Sequence, residues 1–119
     1  MMHNVTLPWP PTELSPNQRL HWSRVAKAKK AYRAECCLQA RSQGLRTIEA
    51  PRLHATFTFY PPSRRRLDLD NCIARIKAGI DGLVDACGVD DSRWTMTFAI
   101  SDQIGGMVKV SLEPSGSIP

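Results

Sequence analysis

The chain has 119 residues, of which 42% are hydrophobic and 23% are charged, and its formal net charge is +5. This length suffices for one domain with its own hydrophobic core. The sequence nowhere approaches the roughly 20 apolar residues that a membrane span needs, and its start lacks the basic-then-apolar order of a signal peptide. We therefore expect a cytoplasmic protein without a membrane partner.

The charge is distributed unevenly along the chain. Residues 1–66 carry twelve Lys and Arg against three Glu, whereas residues 67–119 carry four against eight Asp and Glu. A basic half of this kind is typical of a surface that contacts phosphate groups. On charge alone, an ordinary soluble basic protein is an equally good interpretation.

Four cysteines raise the question of a metal site or of disulfides. Cys36 and Cys37 are adjacent and the other two stand alone, which departs from the Cys-x-x-Cys spacing of structural zinc ligands. We therefore predict buried, reduced thiols. His54 alternates with threonines in a strand-like segment, and we predict that it is solvated rather than a metal ligand.

The first half of the chain predicts a strand, a helix and a second strand. Residues 5–7 indicate a short strand, which the prolines after it bring to an end. From about Leu20 to Gln43 the apolar residues recur with helical spacing, and a basic face lies opposite them. Residues 53–60 alternate between apolar and polar side chains, as expected of a strand with one buried side.

The second half predicts a helix and two further strands. Apolar residues from Asn71 to Cys87 form one helical stripe, and Asp70 or Asn71 is the expected N-cap. Strands are predicted at residues 94–100 and 107–112. The six-residue loop between these strands contains two glycines, which favours a hairpin.

These elements define the expected fold. Their order, β-α-β-α-β-β, predicts an α+β domain in which two helices pack on a mixed four-stranded sheet. We place this domain at residues 1–114 and expect residues 115–119 to form a flexible tail.

Two aspartates separated by one residue precede the second predicted helix. If residues 68–70 are extended, Leu69 turns toward the core and the carboxylates of Asp68 and Asp70 point the same way, from Cα atoms about 7 Å apart. Such oxygens are the ligands that Mg²⁺ prefers, and amides at the start of a helix can assist a nearby phosphate. Asp91, just after the helix, is a candidate third ligand.

Each of these signals also has an ordinary explanation. The Asp-x-Asp pattern is compatible with a helix cap, and Asp90-Asp91-Ser92 is compatible with a turn. Arg64-Arg65-Arg66 is compatible with a solvated loop. Only their coincidence in one chain favours a metal site beside phosphate.

Several segments together carry a resemblance to a known family. They are Leu7-Pro8-Trp9-Pro10-Pro11, the basic helix with Tyr32-Arg33, the Arg-Arg-Arg-x-Asp-Leu-Asp-Asn run of 64–71, Asp81-Gly82-Leu83 and Asp90-Asp91. In these segments, which span nearly the whole chain, the sequence resembles the RusA-type Holliday junction resolvases. These are crossover junction endodeoxyribonucleases often encoded by prophages.

The resemblance implies an activity, a cofactor and a partner. The implied protein is a homodimer that resolves four-way DNA junctions by paired symmetric hydrolysis of phosphodiester bonds, in DNA recombination and repair. Its cofactor is Mg²⁺, for which Mn²⁺ can substitute, and no small-molecule cofactor is expected. The implied metal ligands, which are also catalytic, are Asp68, Asp70 and Asp91.

The family also has a functional lysine, and this chain has no lysine at the corresponding position. One helical turn after the second aspartate, where the family has that lysine, this chain has Ala74. Lys77 keeps the family's spacing to Asp81 and is our candidate catalytic cation. Lys77 is also placed for an ordinary helical ion pair with Asp81, in which case Arg75 or the arginine triplet could supply the cation.

Seven basic residues are expected to contact DNA phosphates. Three lie on the first helix, three form the arginine triplet and one lies on the second helix. They are Arg24, Lys27, Lys30, Arg64, Arg65, Arg66 and Arg75.

Two other functions stay open. The first is a less selective Mg²⁺ nuclease that cuts flaps or other branched DNA. The second is a DNA- or junction-binding protein without catalysis, in which the aspartates are only caps. A sugar-nucleotide transferase that uses Asp-x-Asp is disfavoured because the sequence lacks a glycine-rich phosphate loop.

Overall fold

A computed structural model describes residues 2–116 and contains two helices and four strands. In chain order they are β1 (His3–Pro8), α1 (Trp22–Ser42), β2 (Arg52–Tyr60), α2 (Leu69–Cys87), β3 (Trp94–Ile100) and β4 (Met107–Ser115). Short 3₁₀ turns lie at Thr12–Leu14 and Asp91–Arg93. The α+β fold, the element order and the mixed four-stranded sheet predicted from the sequence are all confirmed.

The sheet has the strand order β1-β4-β2-β3, so the predicted hairpin of the last two strands is wrong. Strand β2 lies between them, antiparallel to β4 and parallel to β3. The loop at residues 101–106 crosses the end of β2, where the Ser101 and Gly106 amides donate to the Phe59 and Tyr60 carbonyls at 2.8 Å. Six residues easily span two strand spacings of about 4.8 Å each, so the same loop length serves either connection.

One face of the sheet forms the core and the other is polar. In β2, Leu53, Ala55, Phe57 and Phe59 are buried, as their alternation predicts. On the opposite face, the His54 ring is within 2.6 and 2.9 Å of the Thr95 and Thr97 hydroxyls. Burial on one face only places both helices on the same side of the sheet, leaving the threonine-rich face uncovered by them.

The four cysteines are buried, free thiols, as predicted. They lie in α1 and α2, within the packed layer between helices and sheet. Burial raises the pKa of the Cys36 thiol to about 12. These thiols therefore act as small apolar groups of the core rather than as nucleophiles.

Helix α1 packs very closely against α2 at two glycines. A Cβ at Gly82 would overlap the Arg33 carbonyl oxygen and lie 3.0 Å from the Cys37 amide nitrogen. At Gly79 a Cβ would lie 2.9 Å from the Tyr32 ring. The Tyr32 hydroxyl in turn donates to the Pro8 carbonyl at 2.6 Å, which links α1 to the end of β1. This packing fixes the basic face of α1 beside α2.

The last strand ends later than the predicted residue 112. Strand β4 continues past residue 112 and ends at Ser115, which pairs with Arg52 of β2. Of the predicted tail, residues 117–119 lie outside the described residues. Within residues 2–116, neither helix has the length and apolar character needed to cross a membrane.

Candidate functional site

The two aspartates of the Asp-x-Asp pattern lie at the start of α2. Asp68 is the N-cap, with extended backbone angles φ −90° and ψ 135°, and the helix begins at Leu69. The prediction that residues 68–70 are extended and that Leu69 enters the core is therefore wrong, since Leu69 is 38% exposed. Asp70 is in the first helical turn, so the two carboxylates are related by helical rather than strand geometry.

Both carboxylates are exposed and neither forms an ion pair with another residue in the range 2–116. Asp68 makes no side-chain capping bond to the described helix. Asp70 accepts a hydrogen bond from the Asn71 amide through Oδ1 at 2.9 Å. Helix N-termini favour negative charge because the first amides carry unsatisfied partial positive charge. The site thus has two carboxylates that are free to bind a cation, next to helix amides that can donate hydrogen bonds to an anion.

The surroundings of the pair combine apolar and basic side chains. Asp68 and Asp70 line one open depression together with Arg66, Ile73 and Ile100. The start of α2 also contacts the loop before α1, because the side-chain amide group of Asn71 donates a hydrogen bond to the Ser15 hydroxyl at 3.2 Å. One arginine of the triplet therefore lies beside the acidic pair, as expected of a site that binds both a cation and a phosphate.

Lys77 forms a second charged cluster farther along α2. Its ammonium group donates to Asp91 Oδ2 at 2.5 Å and to Asp81 Oδ1 at 3.0 Å. The pKa of Lys77 is raised, chiefly by the hydrogen bond to Asp91, although partial burial opposes the shift. Lys77 therefore stays protonated near neutral pH and is a cation rather than a general base. The expected helical contact with Asp81 is present.

The two aspartates of the turn after α2 have different hydrogen-bond partners. Asp90 caps the 3₁₀ turn, where its Oδ2 accepts the Ser92 amide at 3.0 Å. Hydrogen bonding to the Ser92 side chain, and then to the Ser92 amide, lowers the pKa of Asp90. Asp91 instead faces Lys77. Asp90 thus has a structural role, and Asp91 is the member of the pair that faces α2.

The predicted metal ligands fall into two groups. Asp70 and Lys77 are seven residues apart, which is about 10 Å along the helix axis, and Asp91 lies at the Lys77 end. Among residues 2–116, no three His, Cys, Asp or Glu side chains are grouped so as to hold a metal ion. The structure brings Asp68 and Asp70 together and places Asp91 in an ion pair.

Six of the seven basic residues predicted to contact DNA are exposed. They are Arg24, Lys27 and Lys30 on α1, and Arg64, Arg65 and Arg66 in the loop between β2 and α2. Lys30 lines a cavity between the helices that Lys77 also lines, so the basic face of α1 adjoins the Lys77 cluster. The basic face of α1 therefore adjoins the middle of α2, while Arg66 of the triplet lies beside the acidic pair at its start.

Arg75 is buried, whereas a residue that contacts DNA has to be exposed. Its side chain is buried, with 7% of the residue exposed, and it donates to the Pro10 carbonyl at 2.5 Å. The guanidinium carbon lies 5.8 Å from the centre of the Trp9 ring. Arg75 follows Cys72 by three residues and precedes Ile76, which puts it on the buried side of α2. This burial is contrary to the predicted contact of Arg75 with DNA.

Sequence reasoning missed Lys29, Arg33 and Asp85. Arg33 forms a two-point ion pair with Asp85, at 2.7 and 2.9 Å, which joins α1 to α2. Lys29 and Arg33 line the cavity between the helices. The Lys29-Lys30 pair is visible in the sequence, but nothing in the sequence indicates a contact between residues 52 positions apart.

Comparison with known proteins gives a family but no activity. No protein-family model matches the chain. The chain is 40% identical, over 116 residues, to an uncharacterized protein from Xylella fastidiosa strain Temecula1. The match covers 93% of this chain and 76% of the Xylella protein. The chain therefore belongs to the same family as that protein.

Proposed function

We propose that the chain is a Mg²⁺-dependent endodeoxyribonuclease that resolves four-way DNA junctions. The observation that carries the proposal is the pair of exposed carboxylates at the start of α2, which share one depression with Arg66. The resemblance to RusA-type resolvases supplies the substrate. Both parts are needed, because carboxylates beside a helix N-terminus also occur as simple caps.

The residues present fit Mg²⁺ in their chemistry. Asp68 and Asp70 offer hard anionic oxygens at an exposed site, and Mg²⁺ takes few protein ligands and keeps water or phosphate oxygens in its other positions. We assign Asp68 and Asp70 as ligands, and Asp91 as a third that would first have to leave Lys77. When bound, Mg²⁺ supplies polarisation of the scissile phosphate and activation of a water molecule.

The chain's own groups would act on the phosphate. The first amides of α2 and the Arg66 guanidinium offer positive charge where negative charge develops during hydrolysis. If Asp91 turns to the metal, Lys77 keeps Asp81 as a partner and has donors left for a phosphate oxygen. The exposed basic residues of α1 and of the triplet would follow the DNA backbone, so affinity would fall steeply with salt.

A homodimer is part of the proposal. A four-way junction has near two-fold symmetry and needs two cuts, while one chain offers one acidic pair. A C₂ dimer supplies the second site in a matching orientation.

The proposal is tested by incubating the protein with synthetic four-way, flap and linear duplex DNA, in Mg²⁺ and in EDTA. We expect paired symmetric nicks in the four-way substrate only, and only with Mg²⁺. Asp70→Asn should stop cleavage, whereas Glu113→Gln, which alters an exposed carboxylate on β4, should not. Equal cutting of flaps and duplexes would favour a general nuclease, and cutting by Asp70→Asn would reject the assigned site.

A second candidate, junction or DNA binding without cleavage, is favoured by the Lys77–Asp91 ion pair. This pair neutralises the carboxylate that would complete the metal site. Binding of four-way DNA without cuts in either Mg²⁺ or Mn²⁺ would establish this alternative.

A further inference from the structure

A cavity between α1 and α2 is unusually rich in positive charge. It encloses about 550 Å³, within the range of roughly 300–1,000 Å³ that is typical of small-molecule sites. The only acidic residue among its lining side chains in the described chain is Asp81. Five of the lining residues are basic, namely Lys29, Lys30, Arg33, Arg75 and Lys77.

These basic groups differ in whether a carboxylate already neutralises them. Arg33 is paired with Asp85, and Lys77 is paired with both Asp81 and Asp91. Lys29 and Lys30 have no ion-pair partner within residues 2–116. Two ammonium groups at this cavity are therefore available to an anionic ligand.

Arg75 adds a buried positive charge to the cavity wall. No carboxylate of residues 2–116 pairs with it, and its Nε, itself buried, finds no hydrogen-bond acceptor in that range. Buried charges are normally paired because removing them from water is costly. The Pro10 carbonyl and the Trp9 ring offset part of this cost. Neither residue lines this cavity, so the phosphate-binding role falls to the exposed lysines of α1.

The rest of the lining is apolar. Leu14, Ala74 and Ala78 contribute to the wall, and Leu14 and Ala78 are buried. A free phosphate ion would leave this surface and most of the volume unused. The lining therefore suits a phosphate joined to a body with an apolar face, and the base of a nucleotide offers such a face.

We propose that this cavity binds a single nucleotide, with its phosphate at Lys29 and Lys30 and its base against the apolar wall. The nucleotide is either free or a unit of a DNA strand. The inference does not depend on cleavage, because binding is measured in EDTA.

The test is calorimetric titration of the full chain in EDTA with thymidine monophosphate, inorganic phosphate and a short single-stranded thymidine oligonucleotide. Wild type should bind thymidine monophosphate more tightly than inorganic phosphate. The double variant Lys29→Ala/Lys30→Ala should lose about tenfold or more in affinity, since charge-assisted hydrogen bonds disappear. The double variant Arg52→Ala/Lys109→Ala removes the same charge from the sheet and should stay within about twofold.

A second variant distinguishes binding inside the cavity from attraction to the overall positive charge of the protein. Ala74 is exposed at the cavity wall, so Ala74→Trp should fill the space, keep the net charge and abolish nucleotide binding. An oligonucleotide that binds much more tightly than the monophosphate, with the same losses, would identify a DNA strand as the source. Equal affinity would identify a free nucleotide.

Several results would overturn the proposal. They are no binding of thymidine monophosphate at millimolar concentration, equal affinity for inorganic phosphate, and undiminished binding by Ala74→Trp. A loss in the Arg52→Ala/Lys109→Ala control as large as that in the lysine pair would also overturn it, since binding would then follow net charge alone.

Discussion

The start and the middle of α2 carry the same kinds of side chain in opposite states. At the start, Asp68 and Asp70 are exposed and form no ion pair within the described chain. In the middle, the Lys77 ammonium group pairs with Asp81 and with Asp91 of the turn that follows the helix. A carboxylate is available for a metal only where no cation already neutralises it, so the start of α2 is the better candidate site. The sequence placed Asp91 with Asp68 and Asp70 in one predicted ligand set, and the spacing along the chain does not reveal that Lys77 pairs with Asp91.

The largest expected effect is a difference in DNA cleavage rate between variants at the start and in the middle of α2. Asp70→Asn should lower the rate of four-way junction cleavage by about 100-fold or more, because it removes a proposed metal ligand. Asp81→Asn should lower it by less than about tenfold, because Asp81 only holds Lys77. The measurement is single-turnover cleavage in Mg²⁺, with junction binding in EDTA as the control for folding. Equal losses in the two variants would remove the distinction.

The next effect concerns the helix contact that supports the middle of α2. Gly82→Ala should lower the free energy of unfolding by about 1–3 kcal/mol, because the added methyl group meets the backbone of α1. Urea denaturation measures this change. At Gly105 the nearest atoms belong to the flexible Met107 side chain, so Gly105→Ala should cost less. A larger loss for Gly105→Ala would show that the close packing is misassigned.

A smaller effect tests whether Lys77 competes with metal at Asp91. Lys77→Ala should free the Asp91 carboxylate and tighten Mn²⁺ binding a few-fold, while the cleavage rate falls because a cation is lost. Lys77→Arg should keep both close to wild type. An unchanged cleavage rate in Lys77→Ala would remove Lys77 from the mechanism.

The smallest effect is the pH dependence of the Lys77 ion pairs. The pKa of Lys77 is raised above 10.5 in the folded chain, so its stabilising contribution is fully present below pH 10.5 and is lost as the pH rises through the folded value. The difference in unfolding free energy between wild type and Lys77→Met should therefore shrink above about pH 10.5. A difference independent of pH would mean that the ion pairs do not stabilise the fold.

The local sequence pattern predicted the helices and strands. The predictions that failed were those that depend on contacts between residues far apart in the chain. The alternation in β2 and the apolar stripe of α2 each follow from a single buried face. The partner of β3 is set by how β2 inserts between strands, which loop length does not encode. The helix begins at Leu69, so Asp68 is the N-cap and the predicted N-cap, Asp70 or Asn71, is wrong. The contacts of Asp91 with Lys77 and of Arg33 with Asp85 depend on tertiary geometry, so spacing along the chain could not supply them.

The central claim is that the start of α2 is a divalent-ion site, and Mn²⁺ binding followed by electron paramagnetic resonance tests it most directly. Wild type should bind Mn²⁺ in the presence of junction DNA, and Mg²⁺ should displace it. Asp68→Asn/Asp70→Asn should lose this binding, while Glu49→Gln/Glu113→Gln, which removes two exposed carboxylates elsewhere, should keep it. Equal Mn²⁺ binding by wild type and the aspartate double variant would contradict the account.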